Sequence, residues 1–145
     1  MHEVKATARF VDGHIVFPRE ENAPENAGAV AEFYGIIRAD TINGLRVKAI
    51  EYTAYRPHAD DIMYALALTQ MQRYNLLSCT IIHSLGIVDA GLSSLFIRCT
   101  SAHRKEALDG LCDLVERVKA ELPVWGKEHF EGGGYQWKKN KYLHE

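Results

Sequence analysis

Only two stretches of this chain carry a helical period, and everything around them reads as strand or turn. Between His58 and Tyr74, apolar residues at Ile62, Met63, Leu66, Met71 and Tyr74 recur close to every 3.6 positions. A second stretch runs over residues 102–122 and is stopped by Pro123, which cannot donate a helical hydrogen bond. Strand-like segments fall in groups beside these two, without the strict alternation that a doubly wound parallel sheet requires. The pattern predicts an α+β fold, a mainly antiparallel sheet packed with two main helices, in a single domain over residues 1–145.

The strand segments are marked by alternation and by turn residues. Val4, Ala6, Ala8 and Phe10 share one side of a first strand, Asp12-Gly13 marks a tight turn, and His14-Ile15-Val16-Phe17 reads as the return strand. Residues 18–27, with Pro18 and Pro24, read as a loop or one helical turn. Residues 29–38 form a strand, residues 39–45 with Asp40 and Asn43-Gly44 a mobile loop, and residues 47–55 the next strand. Two more strands, 77–84 and 92–100, are joined by a turn over residues 86–91. Gly132-Gly133-Gly134 reads as a flexible loop with no helix behind it to cradle a phosphate, and residues from about 138 onward as a flexible tail.

Composition removes several classes of function. Seventeen basic against nineteen acidic residues give a net charge of −2, so no global positive field exists to hold nucleic acid. Lys138, Lys139 and Lys141 beside Trp137 read as a solvated tail, with RNA contact the remote alternative. Seven histidines show neither HxH nor HxxxH spacing, so no metal site is expected. Cys79, Cys99 and Cys112 form no CxxC unit and read as inert buried thiols in a reducing cytosol. No run reaches the roughly 18 apolar residues of a membrane span, and the expected location is the cytoplasm.

Chemistry shows through at two places. The second helix begins Thr100-Ser101-Ala102-His103-Arg104-Lys105, where Ser101 can cap free backbone N–H groups. A helix N-terminus favours acids, yet bases stand here, so this is either an anion site or an exposed basic turn with Lys105 paired to Asp109. Further along, Leu108, Cys112 and Val115 lie on one stripe that Lys119 continues. A lysine there either snorkels to water or sits desolvated, with a lowered pKa, as a base or nucleophile. His83, in an apolar strand, reads as a satisfied core histidine, and Glu51 as the solvent face of its strand.

Taken together, these segments resemble the large subunit of molybdopterin synthase. The resemblance is carried by Gly28-Ala29, Phe33, Gly35 and Arg38; by Ile50-Glu51-Tyr52-Thr53-Ala54-Tyr55; by His83 and Gly86; by Thr100-Ser101-Ala102-His103-Arg104 and Ala107; and by Lys119, Pro123-Val124-Trp125-Gly126-Lys127-Glu128 and Trp137. It implies an α/β-hammerhead-like fold and a two-fold dimer. It also implies two small ubiquitin-like subunits, whose C-terminal Gly-Gly thiocarboxylate threads into a pocket and gives its sulfur to cyclic pyranopterin monophosphate. No cofactor or metal is implied, because the sulfur arrives on the partner and molybdopterin is the product. By this resemblance Lys119 and Lys127 are the catalytic candidates. Ile36, Ile37, Arg38, His103, Arg104, Gly126 and Glu128 are the substrate-binding candidates, with His103 and Arg104 reaching into the neighbouring subunit's pocket.

Three positions depart from the family's pattern. Gly126 stands where a second catalytic lysine is usual, Ser84 where an arginine follows the histidine, and Leu92 where an acid follows the glycine. Lys127 is one place from the missing amine, but adjacent strand residues face opposite ways. The alternative to an active enzyme is therefore a divergent, impaired paralogue that binds the small subunit or an anionic pterin.

Overall fold

A computed structural model of the protein describes residues 5–16 and 22–138; Val4, Phe17, Pro18, Lys139 and Lys141 of the reading above lie outside the described residues, as does most of the tail. Two helices, α1 (His58–Tyr74) and α2 (Arg104–Glu121), accompany eight strands: β1 (Lys5–Asp12), β2 (Ala29–Ile36), β3 (Thr41–Ile42), β4 (Leu45–Ala54), β5 (Ser78–Asp89), β6 (Ser93–Ser101), β7 (Val124–Phe130) and β8 (Tyr135–Trp137). The main sheet path is β2-β6-β5-β4-β7-β8, with β1 added on β5 and β3 on β4. Every ladder is antiparallel except β1 on β5.

That parallel ladder corrects the hairpin expected over residues 4–17. Gly13 turns with its N–H bonded to the Leu85 carbonyl, and the chain then makes a single bridge, Ile15 to Ser93, rather than folding back on β1. The alternation itself holds, because Ala6, Ala8 and Phe10 pack on the main core. Residues 39–45 are likewise no mobile loop. Asn43 and Gly44 both take positive φ, 52° and 79°, the geometry of a two-residue type I′ hairpin, and Thr41-Ile42 pairs with Leu45-Arg46.

β5 joins two half-sheets. Its first half pairs with β6 and β1, while Gly86 to Asp89 pairs with β4. The switch falls at Gly86, whose φ of +79° few side-chain-bearing residues adopt, so this glycine lies within the strand and the turn comes later, at Gly91. One core, including Met63, Leu66, Met71, Ile81, Ile97, Leu114 and Val118, fills the space between the helices and the first half-sheet. A smaller one, Ile37, Val47, Ile50, Val88 and Phe130, lies on the second.

The buried stripe of α2 is Ala107, Gly110, Leu114 and Val118, one residue out of phase with the expected Leu108–Cys112–Val115–Lys119. Gly110 fixes the phase, since a Cβ there would stand 3.3 Å from Tyr74 of α1. Leu108, Cys112 and Lys119 are exposed, so Cys112 is not a core thiol. Cys79 and Cys99 are buried opposite one another on β5 and β6.

Candidate functional site

The lengths of β6 and α2 decide which residues can meet. Nine strand residues cover roughly 30 Å and eighteen helical residues about 27 Å, and α2 packs back along β6. The N-terminus of α2 therefore stays beside Ser101, while Lys119 is carried back toward the Ser93 end. Fifteen positions separate Arg104 from Lys119, about 22 Å of helix. Within one chain, His103 and Arg104 do not reach Lys119.

At the Lys119 end, Tyr52 organises the interior. Its cross-strand neighbours are Gly86 on β5 and Gly126 on β7, so no flanking side chain crowds the ring. The ring stands edge-on to His83, centroids 5.0 Å apart at 84°, and the hydroxyl shares a 3.3 Å hydrogen bond with Ser94 Oγ. Burial raises the Tyr52 pKa; the Ser94 bond opposes this and the nearby Glu128 carboxylate reinforces it. His83 Nδ1 lies 2.8 Å from the Ser84 carbonyl oxygen, which can only accept, so Nδ1 carries the proton in the neutral ring and Nε2 the lone pair. Burial pushes His83 down to about 4; the bond to Ser84 works against this, and the positive charge of Lys119 adds to it. His83 is the satisfied core histidine that the sequence suggested, and it also places Lys119 within electrostatic reach of this interior.

Ile37, Gly91 and Leu92 close the same end through two backbone bonds, Ile37 N–H to the Leu92 carbonyl at 2.9 Å and Gly91 N–H to the Ile37 carbonyl at 2.8 Å. Ile37 is buried and Ile36 half exposed. Arg38 reaches solvent and holds Asp40 through two bonds of 2.6 and 3.3 Å. Asp40 is held below the usual carboxylate range by that hydrogen bond first, with the charges of Arg38 and Lys138 helping.

β7 splits the remaining candidates between two faces. Gly126, Glu128 and Phe130 are buried on the inner one. Glu128, 5% exposed, accepts a 3.0 Å bond from Gln136 Nε2. Lys127 lies on the outer face, its ammonium 4.4 Å from the Tyr135 ring centre and 5.0 Å from that of Trp137. Glu51 is on that face too, bonded to His129 at 2.9 Å rather than simply solvated.

At the other end, α2 starts at Arg104 with His103 as its cap residue and no side-chain cap. Ser101 does not serve as the cap: its hydroxyl donates to the His103 carbonyl instead. Lys105 is taken by Asp109 at 2.7 Å, while His103 and Arg104 are exposed and have no acidic partner within ion-pair distance among the described residues. The candidates thus fall in four places: Gly126, Glu128 and Lys119 near Tyr52 and His83; Arg38 at the surface with Asp40; His103 and Arg104 at the start of α2; Lys127 behind the sheet. Sequence reasoning missed Tyr52, whose signal was its place between two glycines once the register is known. Among the described residues no group of three or more His, Cys, Asp or Glu side chains could hold a metal, and no helix is long and apolar enough to cross a membrane.

The family model described as MoaE protein matches residues 12–121. The chain belongs to the MoaE family. It is 37% identical to the molybdopterin synthase catalytic subunit of Sclerotinia sclerotiorum, over 95% of this chain and 69% of that one. It is 32% identical to the bovine protein of the same name, over 79% of this chain and 60% of that one, and 31% identical to that of Thermoplasma volcanium, over 77% and 81%. This MoaE chain therefore spans about three fifths to four fifths of these relatives. Among solved structures it resembles molybdopterin synthase from Staphylococcus aureus, with TM-score 0.80, 28% identity, and coverage of 90% of this chain and 95% of that one. It shares its fold alone with a chain of the complex of subunits 1 and 2 of molybdopterin-converting factor from Helicobacter pylori, with TM-score 0.72, 17% identity and coverage of 92% and 91%.

Proposed function

We propose that this MoaE chain is the catalytic subunit of a molybdopterin synthase, working in the cytoplasm as a two-fold dimer. It would accept sulfur from the thiocarboxylated Gly-Gly C-terminus of a small ubiquitin-like subunit and pass it to cyclic pyranopterin monophosphate. The family membership carries the reading, and the interior around Tyr52 and His83 supports it. There a buried phenol and a neutral imidazole lie within electrostatic reach of a lysine, a combination suited to an anionic guest.

In this reading Lys119 lies beside the thiocarboxylate as base or transient amine, and neutral His83 adds no competing positive charge. Arg38, between the Ile36-Ile37 strand end and Asp40, binds the substrate together with the inner face at Gly126 and Glu128. His103 and Arg104 act across the dimer, because helix length keeps them from Lys119 of their own chain. Lys127 stays on the aromatic face, where a role in holding the small subunit suits it better than proton transfer. The protein supplies no metal or organic cofactor of its own; the sulfur comes with the partner. The bare Gly126 favours a second reading, an impaired paralogue that binds without efficient turnover. Incubation with a thiocarboxylated small subunit and the cyclic pterin, followed by mass analysis, separates the two. Dithiolene product supports the enzyme, and a stable complex without product supports the paralogue.

A further inference from the structure

We infer that Lys138 supplies the second ammonium of this site, from the strand opposite the one that would be searched for it. The inference rests on the sulfur-transfer reading and adds a residue to it. β7 and β8 pair Lys127 with Trp137 and Glu128 with Gln136, and the register continues to Gly126 and Lys138, whose N–H donates to the Gly126 carbonyl at 2.8 Å. Directly opposed residues of an antiparallel pair project to the same face. A Cβ placed on Gly126 would stand 3.8 Å from the Lys138 Cβ. The stem of Lys138 thus leaves the sheet beside the spot where a side chain at 126 would begin, on the inner face with Tyr52 and Glu128.

Position 126 cannot provide the cation without rearrangement, because its Cβ would meet Ile50 Cγ2 at 2.9 Å and Tyr52 Cε1 at 3.4 Å. Lys127 points the other way. Lys138 is exposed, and among the described residues no carboxylate lies within ion-pair distance of it. The nearby acids are engaged elsewhere: Asp40 is gripped at two points by Arg38, and Glu128 is bonded by Gln136. Asp40 nevertheless feels the Lys138 charge, which brings the ammonium into the surroundings of Arg38. Lys138 and the Arg38–Asp40 ion pair then share one neighbourhood beside Gly126, where Lys138 is the cation without a carboxylate of its own, placed to hold a phosphate or the negative charge of a thiocarboxylate. The role is electrostatic: no bond to Lys138 forms or breaks.

The test uses the full chain with thiocarboxylated small subunit and cyclic pyranopterin monophosphate, read as single-turnover rate and substrate affinity. Lys138→Ala is expected to slow product formation or weaken pterin binding by roughly tenfold to a hundredfold, the scale of losing one charge-stabilising group. Lys138→Arg is expected to keep most of the wild-type value, and both variants to melt with the wild type. Turnover and affinity in Lys138→Ala within about twofold of wild type, well under the tenfold scale of such a group, would overturn the inference while leaving the function standing. An equal loss in both variants with lowered melting would make Lys138 a structural residue and overturn it as well. A wild-type chain that yields no product refutes the function itself, and this inference with it.

Discussion

Gly126 offers the sharpest test of how the site is built, because two effects of opposite sign meet there. Adding a methyl group, as in Gly126→Ala, removes the flexibility that makes an interior strand glycine cost about 0.5–1 kcal/mol relative to alanine. The backbone raises no objection, since Gly126 is not among the residues with positive φ. Packing does. The new Cβ would lie 2.9 Å from Ile50 Cγ2, a methyl on a β-branched carbon of a residue only 4% exposed, and 3.4 Å from the Tyr52 ring. Overfilling a closed core costs typically about 1–3 kcal/mol, and Ile50 is hemmed in by Ile37, Val88 and Phe130. Steric cost therefore wins, leaving a net destabilisation of roughly 1–2 kcal/mol. For a chain of this length that is a fall in melting temperature of about 2–8 °C. Calorimetry of Gly126→Ala against wild type measures it. Combining the change with Ile50→Leu, which moves the branch off the β-carbon, should recover part of the loss, an interaction on the order of 0.5–1 kcal/mol in a double-mutant cycle. Gly126→Lys carries the same Cβ and should gain no activity over wild type. Unchanged melting in Gly126→Ala, or a large gain in turnover from Gly126→Lys, would refute the steric argument.

The pKa of His83 sets a pH dependence of stability. Its folded value of about 4 lies below the ordinary 6.5, so stability is full above 6.5 and falls by roughly 3 kcal/mol as pH drops toward 4; urea midpoints at several pH values should show the slope, and His83→Gln should flatten it. Lys119→Met should cut turnover about a hundredfold with the dimer intact. By removing a cation that opposes protonation, it should also raise the His83 pKa in an NMR titration, and an unmoved pKa would separate the two residues. If His103 and Arg104 act across the dimer, mixing and reassociating inactive Arg104→Ala and Lys119→Ala chains should restore up to about a quarter of wild-type activity, one intact site per mixed dimer. No recovery would confine the site to one chain.

Much of the architecture was legible because it follows from periodicity. Two helices, the stop at Pro123 and the strands β1, β2, β4 and β6 appear where apolar spacing and turn residues put them. What escaped was long-range. Asp12-Gly13 does mark a turn, but nothing local says that β1 pairs with a strand 73 positions later in register, Lys5 against Ser78, rather than with its own continuation. Asn43-Gly44 reads as loop from its turn residues alone, because the strand on its N-terminal side, β3, is only two residues long and leaves no alternation to read. The α2 stripe slipped by one residue because Leu108 and Cys112 are apolar by type yet exposed, and the true phase is set by Gly110 against Tyr74, a contact between helices 36 positions apart.

The site illustrates the same division more sharply. In the sequence Lys119 continues an apolar stripe, yet α2 exposes it, and the groups buried behind it are His83 and Tyr52. Its reach into that interior depends on α2 being nearly as long as β6, so that the helix returns its last turn to the end of the sheet where β5 changes neighbours at Gly86. The same match of lengths removes His103 and Arg104 from that end by about 22 Å. A helix that carries its C-terminal lysine to one end of the sheet holds its N-terminal basic residues at the other. If the basic helix start and Lys119 serve one substrate, a second copy related by a two-fold axis would bring the two kinds of positive charge together, and the mixed-chain reassociation tests it.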